Sequence, residues 1–112
     1  MCIRDSLVAV NSNEEFVREV EQDQGLVIAG FTADWCPHCK VLAPHIQGMA
    51  QNFPDLKICR VDVDKCEEIS NKYNVQTIPT LAIFKGGQLV VAKMVAGMQP
   101  NEIMEFMQSN MQ

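Results

Sequence analysis

Asp34-Trp35-Cys36-Pro37-His38-Cys39-Lys40 is the stretch from which the rest of this chain is read. Two cysteines separated by two residues can close a small disulfide ring and open it again. Pro37 suits the first position of a helix, where its missing N–H costs nothing and its φ is already set, and the residues through about Asn52 read as that helix. Cys36 then falls at a helix start, where unpaired N–H groups and the helix dipole favour negative charge. The thiolate is the reactive form of cysteine, so Cys36 is expected to be the reactive member. Cys39, one turn further in, is expected to be more buried and less reactive. Trp35, the single tryptophan of the chain, adjoins the first sulfur.

A structural zinc site would need four ligands, from two such pairs or from a pair plus two closely spaced histidines. Only one Cys-x-x-Cys is present. His38 lies inside it, His45 faces elsewhere on the same helix, and Cys59 and Cys66 are too far apart to form a second knuckle. The expectation is a redox pair and no metal.

With 112 residues the chain makes one domain large enough to bury its own core. A net charge of −5 argues against nucleic acid or an anionic membrane as partner, and no apolar run approaches the ~20 residues of a membrane span. Five cysteines with one close pair do not form the framework of a secreted mini-protein. With no signal peptide visible, the expected location is cytoplasmic. Residues 1–6 fit no element and read as a non-native or disordered extension, leaving 7–112 as the domain.

Outward from the cysteines, Leu26-Val27-Ile28-Ala29-Gly30-Phe31 reads as a buried strand leading into the motif. Val41, Leu42, Ile46 and Met49 are assigned to the apolar side of the following helix, which Pro44 should kink. Before this lie a strand at Leu7-Val8-Ala9-Val10 and a helix opened by the capping box Ser12-Asn13-Glu14-Glu15. After it come a strand from Leu56 to Val63 and a short helix to about Tyr73, capped within Asp64-Lys65-Cys66-Glu67. Leu81-Ala82-Ile83-Phe84 and Leu89-Val90-Val91-Ala92 flank Gly86-Gly87, a hairpin signal because tight hairpin turns need positive φ. Pro100 opens a last helix bearing Ile103, Met104, Phe106 and Met107 on one face. The order β-α-β-α-β-α-β-β-α implies parallel crossovers closed by an antiparallel hairpin. That is an α/β fold, with a mixed sheet of about five strands flanked by about four helices.

From about Leu7 onward the chain resembles the thioredoxin family. The resemblance rests on Trp35-Cys36-x-x-Cys39-Lys40, Pro44 five residues after Cys39, Val61-Asp62-Val63-Asp64, Ile78-Pro79-Thr80, the Gly86-Gly87 hairpin and Gly97, all in the family's order and spacing. It implies the thioredoxin fold and a thiol–disulfide oxidoreductase, with Cys36 the nucleophile and Cys39 the resolving thiol. Pro79 would be a cis-proline opposite the cysteines, and the Ile78 backbone would pair with an extended substrate. Trp35, Pro37, Ile78 and Gly97 would form the apolar receiving patch, with Trp35, Pro37, His38 and Lys40 tuning the pair. The implied partners are protein substrates with disulfides or thiols and a thioredoxin reductase or other thiol redox partner. A monomer is expected, with no cofactor beyond the cysteines themselves.

Two departures from the family pattern stand out. Pro37-His38 replaces the usual Gly-Pro and matches the strongly oxidising periplasmic oxidases, whose helical insertion this chain lacks. A histidine there can stabilise the Cys36 thiolate, which makes the disulfide a stronger oxidant. Gly30 stands where the family carries a buried acid that shuttles the proton of the resolving thiol, so resolution by Cys39 is expected to be slower or to use water or another group. Asp34 is too exposed to take that role, and Arg60 loses the acid it would have faced. Cys59 is expected to be a core thiol, Cys66 a packing residue, His45 a surface or packing residue, and Met104, Met107 and Met111 core filling.

Overall fold

The computed structural model describes residues 7–52 and 57–110. The expectations for residues 1–6, Leu56 and Met111, and for the Met49 side chain, lie outside the described residues.

Five strands form one mixed sheet: β1 (Leu7–Val10), β2 (Leu26–Thr32), β3 (Lys57–Asp62), β4 (Thr80–Lys85) and β5 (Gln88–Met94). Their spatial order is β1-β3-β2-β4-β5. β3 runs parallel to both β1 and β2, whereas β2–β4 and β4–β5 are antiparallel. The helices are α1 (Asn13–Phe16, continuing as a wider π-helical turn over Val17–Glu21), α2 (Pro37–Asn52), α3 (Glu67–Lys72) and α4 (Pro100–Asn110).

Strand alternation explains the two layers. Val27, Ala29 and Phe31 of β2 point one way with Cys59 and Val61 of β3, packing with Phe16, Val20, Cys66, Ile69 and Phe84 beneath α1 and α3. Ile28 and Ile58 point the other way, against Leu42 and Ile46 of α2 and Ile103 and Met107 of α4. Phe16 lies at the centre of the first layer, with ring centroids 5.9 Å from Phe31, 5.8 Å from Tyr73 and 5.6 Å from Phe84. Aromatic pairs at such spacing add about 0.5–1.5 kcal/mol each to their burial. Gly30, between Ile28 and Thr32, falls on the α2 face of β2.

Local signals account for the element ends. Ser12 Oγ accepts the Glu15 N–H at 3.1 Å, while the Glu15 carboxylate reaches back to the Asn11 N–H at 2.7 Å, a capping box shifted by one residue. Gly86 and Gly87 both have positive φ (60° and 81°), as a two-residue hairpin turn requires. Gly87 also lies so close to the Glu21 carbonyl that a Cβ would come within 2.1 Å of its oxygen.

One sequence expectation is corrected. Val41 is 66% exposed, because the core stripe of α2 runs through Leu42 and Ile46, a full turn apart, and Val41 lies about 100° round the helix. The N-cap of α3 is Cys66, within the stretch expected to cap it, with no side-chain bond of its own. The Ile69 N–H in that first turn is satisfied from α1, by Asn13 Oδ1 at 3.1 Å.

Candidate active site

β2 ends at Thr32, and α2 begins at Pro37 after four intervening residues, so Cys36 and Cys39 lie at the junction of a central strand and a helix start. Within that junction the Cys36 N–H donates to the Ala33 carbonyl at 3.2 Å and the Lys40 N–H to the Cys36 carbonyl at 3.2 Å. The Cys39 N–H donates to Cys36 Sγ at 3.3 Å. A helix-start N–H that would otherwise lack a partner is thereby aimed at the first sulfur. Among the described residues, all four cysteines are free thiols.

Ala33, Cys36 and Cys39 form a small buried cluster of their own, with Val63 and Ile78 packed against it. The expected difference in burial between the two cysteines is not found: Cys36 is 3% exposed and Cys39 5%. Val63 and Ile78 pack against the cluster that holds both cysteines. The Cys39 thiol is displaced from its ordinary range. Burial, then the bond with Cys36, pushes its thiol up to about 12, so it remains protonated at neutral pH.

The Ile78–Pro79 peptide is cis. Pro79 is buried and Ile78 half-buried, and the Pro79 carbonyl accepts the Val95 N–H at 2.9 Å. Val95 opens a turn closed by Met98 N–H to Val95 C=O at 3.1 Å, with Gly97 at φ 76° inside it, where only glycine is at ease. Ile78 therefore touches the cysteine cluster directly, and the Gly97 turn is tied to it through Pro79. Pro37, His38, Lys40 and Gly97 are exposed.

Trp35 is 65% exposed yet held in place: its Nε1–H donates to Asp64 Oδ2 at 2.8 Å. Asp64, for which the sequence suggested no contact with Trp35, thus lies beside the cysteine motif. The parallel register pairs Thr32 with Asp62 and Val63 N–H donates to the Thr32 carbonyl at 2.9 Å, so the residues just beyond both strand ends lie side by side. Ala33 and Val63, which pack on the sulfurs, were likewise not singled out from sequence.

Behind Cys39 lies a cleft of about 280 Å³ lined by Gly30, Thr32, Ala33, Asp34, Cys39, Lys40, Leu42, Ala43, Ile46, Cys59 and Arg60. Gly30 and Arg60 are register partners on β2 and β3. A Cβ at Gly30 would meet nothing closer than Leu81 Cδ2 at 3.5 Å and the Cys59 carbonyl oxygen at 3.8 Å. A Cβ there would make only ordinary van der Waals contacts, and the cleft that Gly30 borders also reaches the second cysteine.

Cys59 and Cys66 are fully buried in the α1/α3 layer. The Cys66 thiol lies 3.8 Å from the Val10 carbonyl oxygen, and burial pushes it up to about 11. Among the described residues no group of three or more His, Cys, Asp or Glu side chains could hold a metal ion, and no helix is long and apolar enough to cross a membrane.

A dithiol at the start of a helix, on this mixed five-stranded sheet with a cis-proline beside it, defines a thiol–disulfide oxidoreductase of thioredoxin fold. The Thioredoxin family model matches residues 7–109. Thioredoxin from Bacillus subtilis is 40% identical over 86 residues, 76% of this chain and 81% of that protein. Thioredoxin C-2 from Corynebacterium nephridii is 35% identical over 107 residues, 94% and 98% of the two chains. A mutant thioredoxin from Halobacterium salinarum NRC-1 has the same fold, with a TM-score of 0.85 at 25% identity over 100% of this chain and 96% of that one. The chain belongs to the thioredoxin family. Thiol redox partners such as thioredoxin reductase follow from that membership, and no cofactor beyond the redox-active cysteines is needed.

Proposed function

We propose that this protein exchanges disulfides with protein substrates, Cys36 acting first and Cys39 second. The Cys36 thiolate attacks one sulfur of a substrate disulfide; that S–S bond breaks and the first substrate sulfur leaves as a thiolate, which takes a proton from solvent. Cys39 then loses its proton and attacks Cys36 Sγ. The mixed disulfide breaks, the second substrate thiol leaves, and Cys36–Cys39 closes, two electrons having passed to the substrate. A thiol partner such as thioredoxin reductase restores the dithiol.

The observation that carries this order is the asymmetry between the thiols. Cys39 holds its proton to about 12 and donates its backbone N–H to Cys36 Sγ. The receiving surface is Trp35, Pro37, the Ile78 backbone before Pro79, and Gly97. Its support is the contact of Ile78 with the cysteine cluster and the exposure of Trp35. His38 and Lys40, exposed on the first turn of α2, tune the pair, and the protein acts as a monomer.

The test is insulin reduction driven by dithiothreitol: wild type accelerates it, and Cys36→Ser and Cys39→Ser do not. Acceleration retained by Cys36→Ser would overturn the reading. Pro37-His38 supports a more oxidising couple than a Gly-Pro pair would give. Equilibration with glutathione then shows a lower potential in His38→Pro than in wild type; equal potentials would remove His38 from the account.

A further inference from the structure

We propose that the cleft behind Cys39 is a binding site for a small carboxylate with a compact apolar body. Its volume of about 280 Å³ equals roughly nine waters at about 30 Å³ each, the scale of a metabolite-sized acid and below that of most drug-sized ligands. Its floor is apolar, formed by Gly30 together with Leu42, Ala43 and Ile46; Leu42 and Ile46 belong to the core layer beneath α2. Its rim is charged. Lys40 and Arg60 line the cleft and are exposed, as is Asp34, so the opening carries one net positive charge on a chain whose net charge is −5. Among the described residues, neither Lys40 nor Arg60 has an ion-pair partner.

An apolar floor with unpaired cations at its mouth recognises an anion carrying a short hydrocarbon body. A fully polar anion would gain nothing from Leu42 and Ile46, and a neutral hydrocarbon nothing from Arg60. Gly30 lines the cleft from the α2 face of β2, the exposed Asp34, Lys40 and Arg60 line it too, and Ile78 does not. Cys39 lines it, so an occupant touches the second thiol. Binding should then differ between the dithiol and the closed disulfide, and by linkage an occupant should shift the redox equilibrium. Binding depends on the cleft and its lining rather than on the order of attack, so it stands or falls separately from the exchange assays.

The experiment titrates the reduced protein, labelled with nitrogen-15, with hexanoate and with its neutral isostere hexanamide. The expected result is saturable shifts at the amides of Gly30, Cys39, Ala43 and Arg60, with hexanamide weaker by roughly threefold to tenfold. Arg60→Gln, an exposed change, should bring hexanoate down to the hexanamide level without altering the fold. Gly30→Val, which places methyl groups in the cleft, should abolish the shifts for both compounds. Equal affinity for the two compounds, hexanoate binding unchanged in Arg60→Gln, or no saturable shift at these amides would each overturn the proposal. Should Gly30→Val fail to fold, the Arg60→Gln and hexanamide comparisons still decide it.

Discussion

The backbone N–H of Cys39 donates to the sulfur of Cys36 across 3.3 Å, while the Cys39 thiol is pushed up to about 12. One residue therefore supplies a hydrogen bond to its partner and withholds its own proton. The two cysteines are about equally buried, so exposure does not set them apart, whereas the hydrogen bond from the Cys39 N–H to the Cys36 sulfur runs one way.

That displaced thiol predicts a pH dependence for the reduced protein. Unfolded, Cys39 releases its proton near 9.0; folded, it holds on to about 12, and Cys66 to about 11. Below pH 9 both states are protonated and nothing is lost. Above it the unfolded chain binds fewer protons than the native one, so stability falls as pH rises. One unit of displacement is worth about 1.4 kcal/mol, which makes the loss on the order of 3 kcal/mol by about pH 11. Urea denaturation of reduced wild type and Cys39→Ser across this range isolates Cys39 from the other groups that titrate there: the variant should show the shallower fall. Parallel curves would place the thiol in an ordinary environment.

Asp64 holds Trp35 by one hydrogen bond at 2.8 Å. Because Trp35 is largely exposed, Asp64→Ala should cost stability only about 1 kcal/mol or less. Its expected effect is on substrate: a several-fold lower kcat/KM with a protein disulfide, and little change with a small disulfide that never reaches the indole. Indole fluorescence anisotropy should fall in the same variant. A large loss of stability with unchanged kinetics would make the contact purely structural.

Gly30 borders the cleft that reaches Cys39 and supplies no base. The Cβ of Gly30→Asp meets only ordinary van der Waals contacts, so the variant should fold, at a cost of about 1–3 kcal/mol for placing a carboxyl there. Stopped-flow measurement of the second exchange step at neutral pH should show it roughly a hundredfold faster, the low end of what a positioned base supplies. An unchanged rate would mean that solvent entering the cleft already removes the proton as fast as the step requires.

Much of this was legible in the sequence for reasons that are local. The run from Leu26 to Phe31 can only be a buried strand, Gly86-Gly87 can only turn tightly, and Pro37 marks a helix start, so the order of elements and the place of the cysteines followed. The resemblance through Ile78-Pro79 and Gly97 supplied the distant side of the site. What escaped was non-local. The Trp35–Asp64 bond depends on the parallel register that pairs Thr32 with Asp62, and register is not written in either strand alone. The near-equal burial of the two cysteines goes with Val63 and Ile78, two residues far away in sequence that pack against their cluster. Val41 was misplaced because four apolar residues in α2 were counted as one stripe, although its angle around the helix sets it apart from Leu42 and Ile46.

The central claim is the order of attack. Mixing reduced Cys39→Ser with a peptide disulfide and reading intact mass and peptide maps should reveal a stable mixed disulfide at Cys36. Reduced Cys36→Ser under the same conditions should give none, since Cys39 keeps its proton. An adduct on Cys39 in the Cys36→Ser protein, or no adduct on Cys36 in Cys39→Ser, would contradict the account.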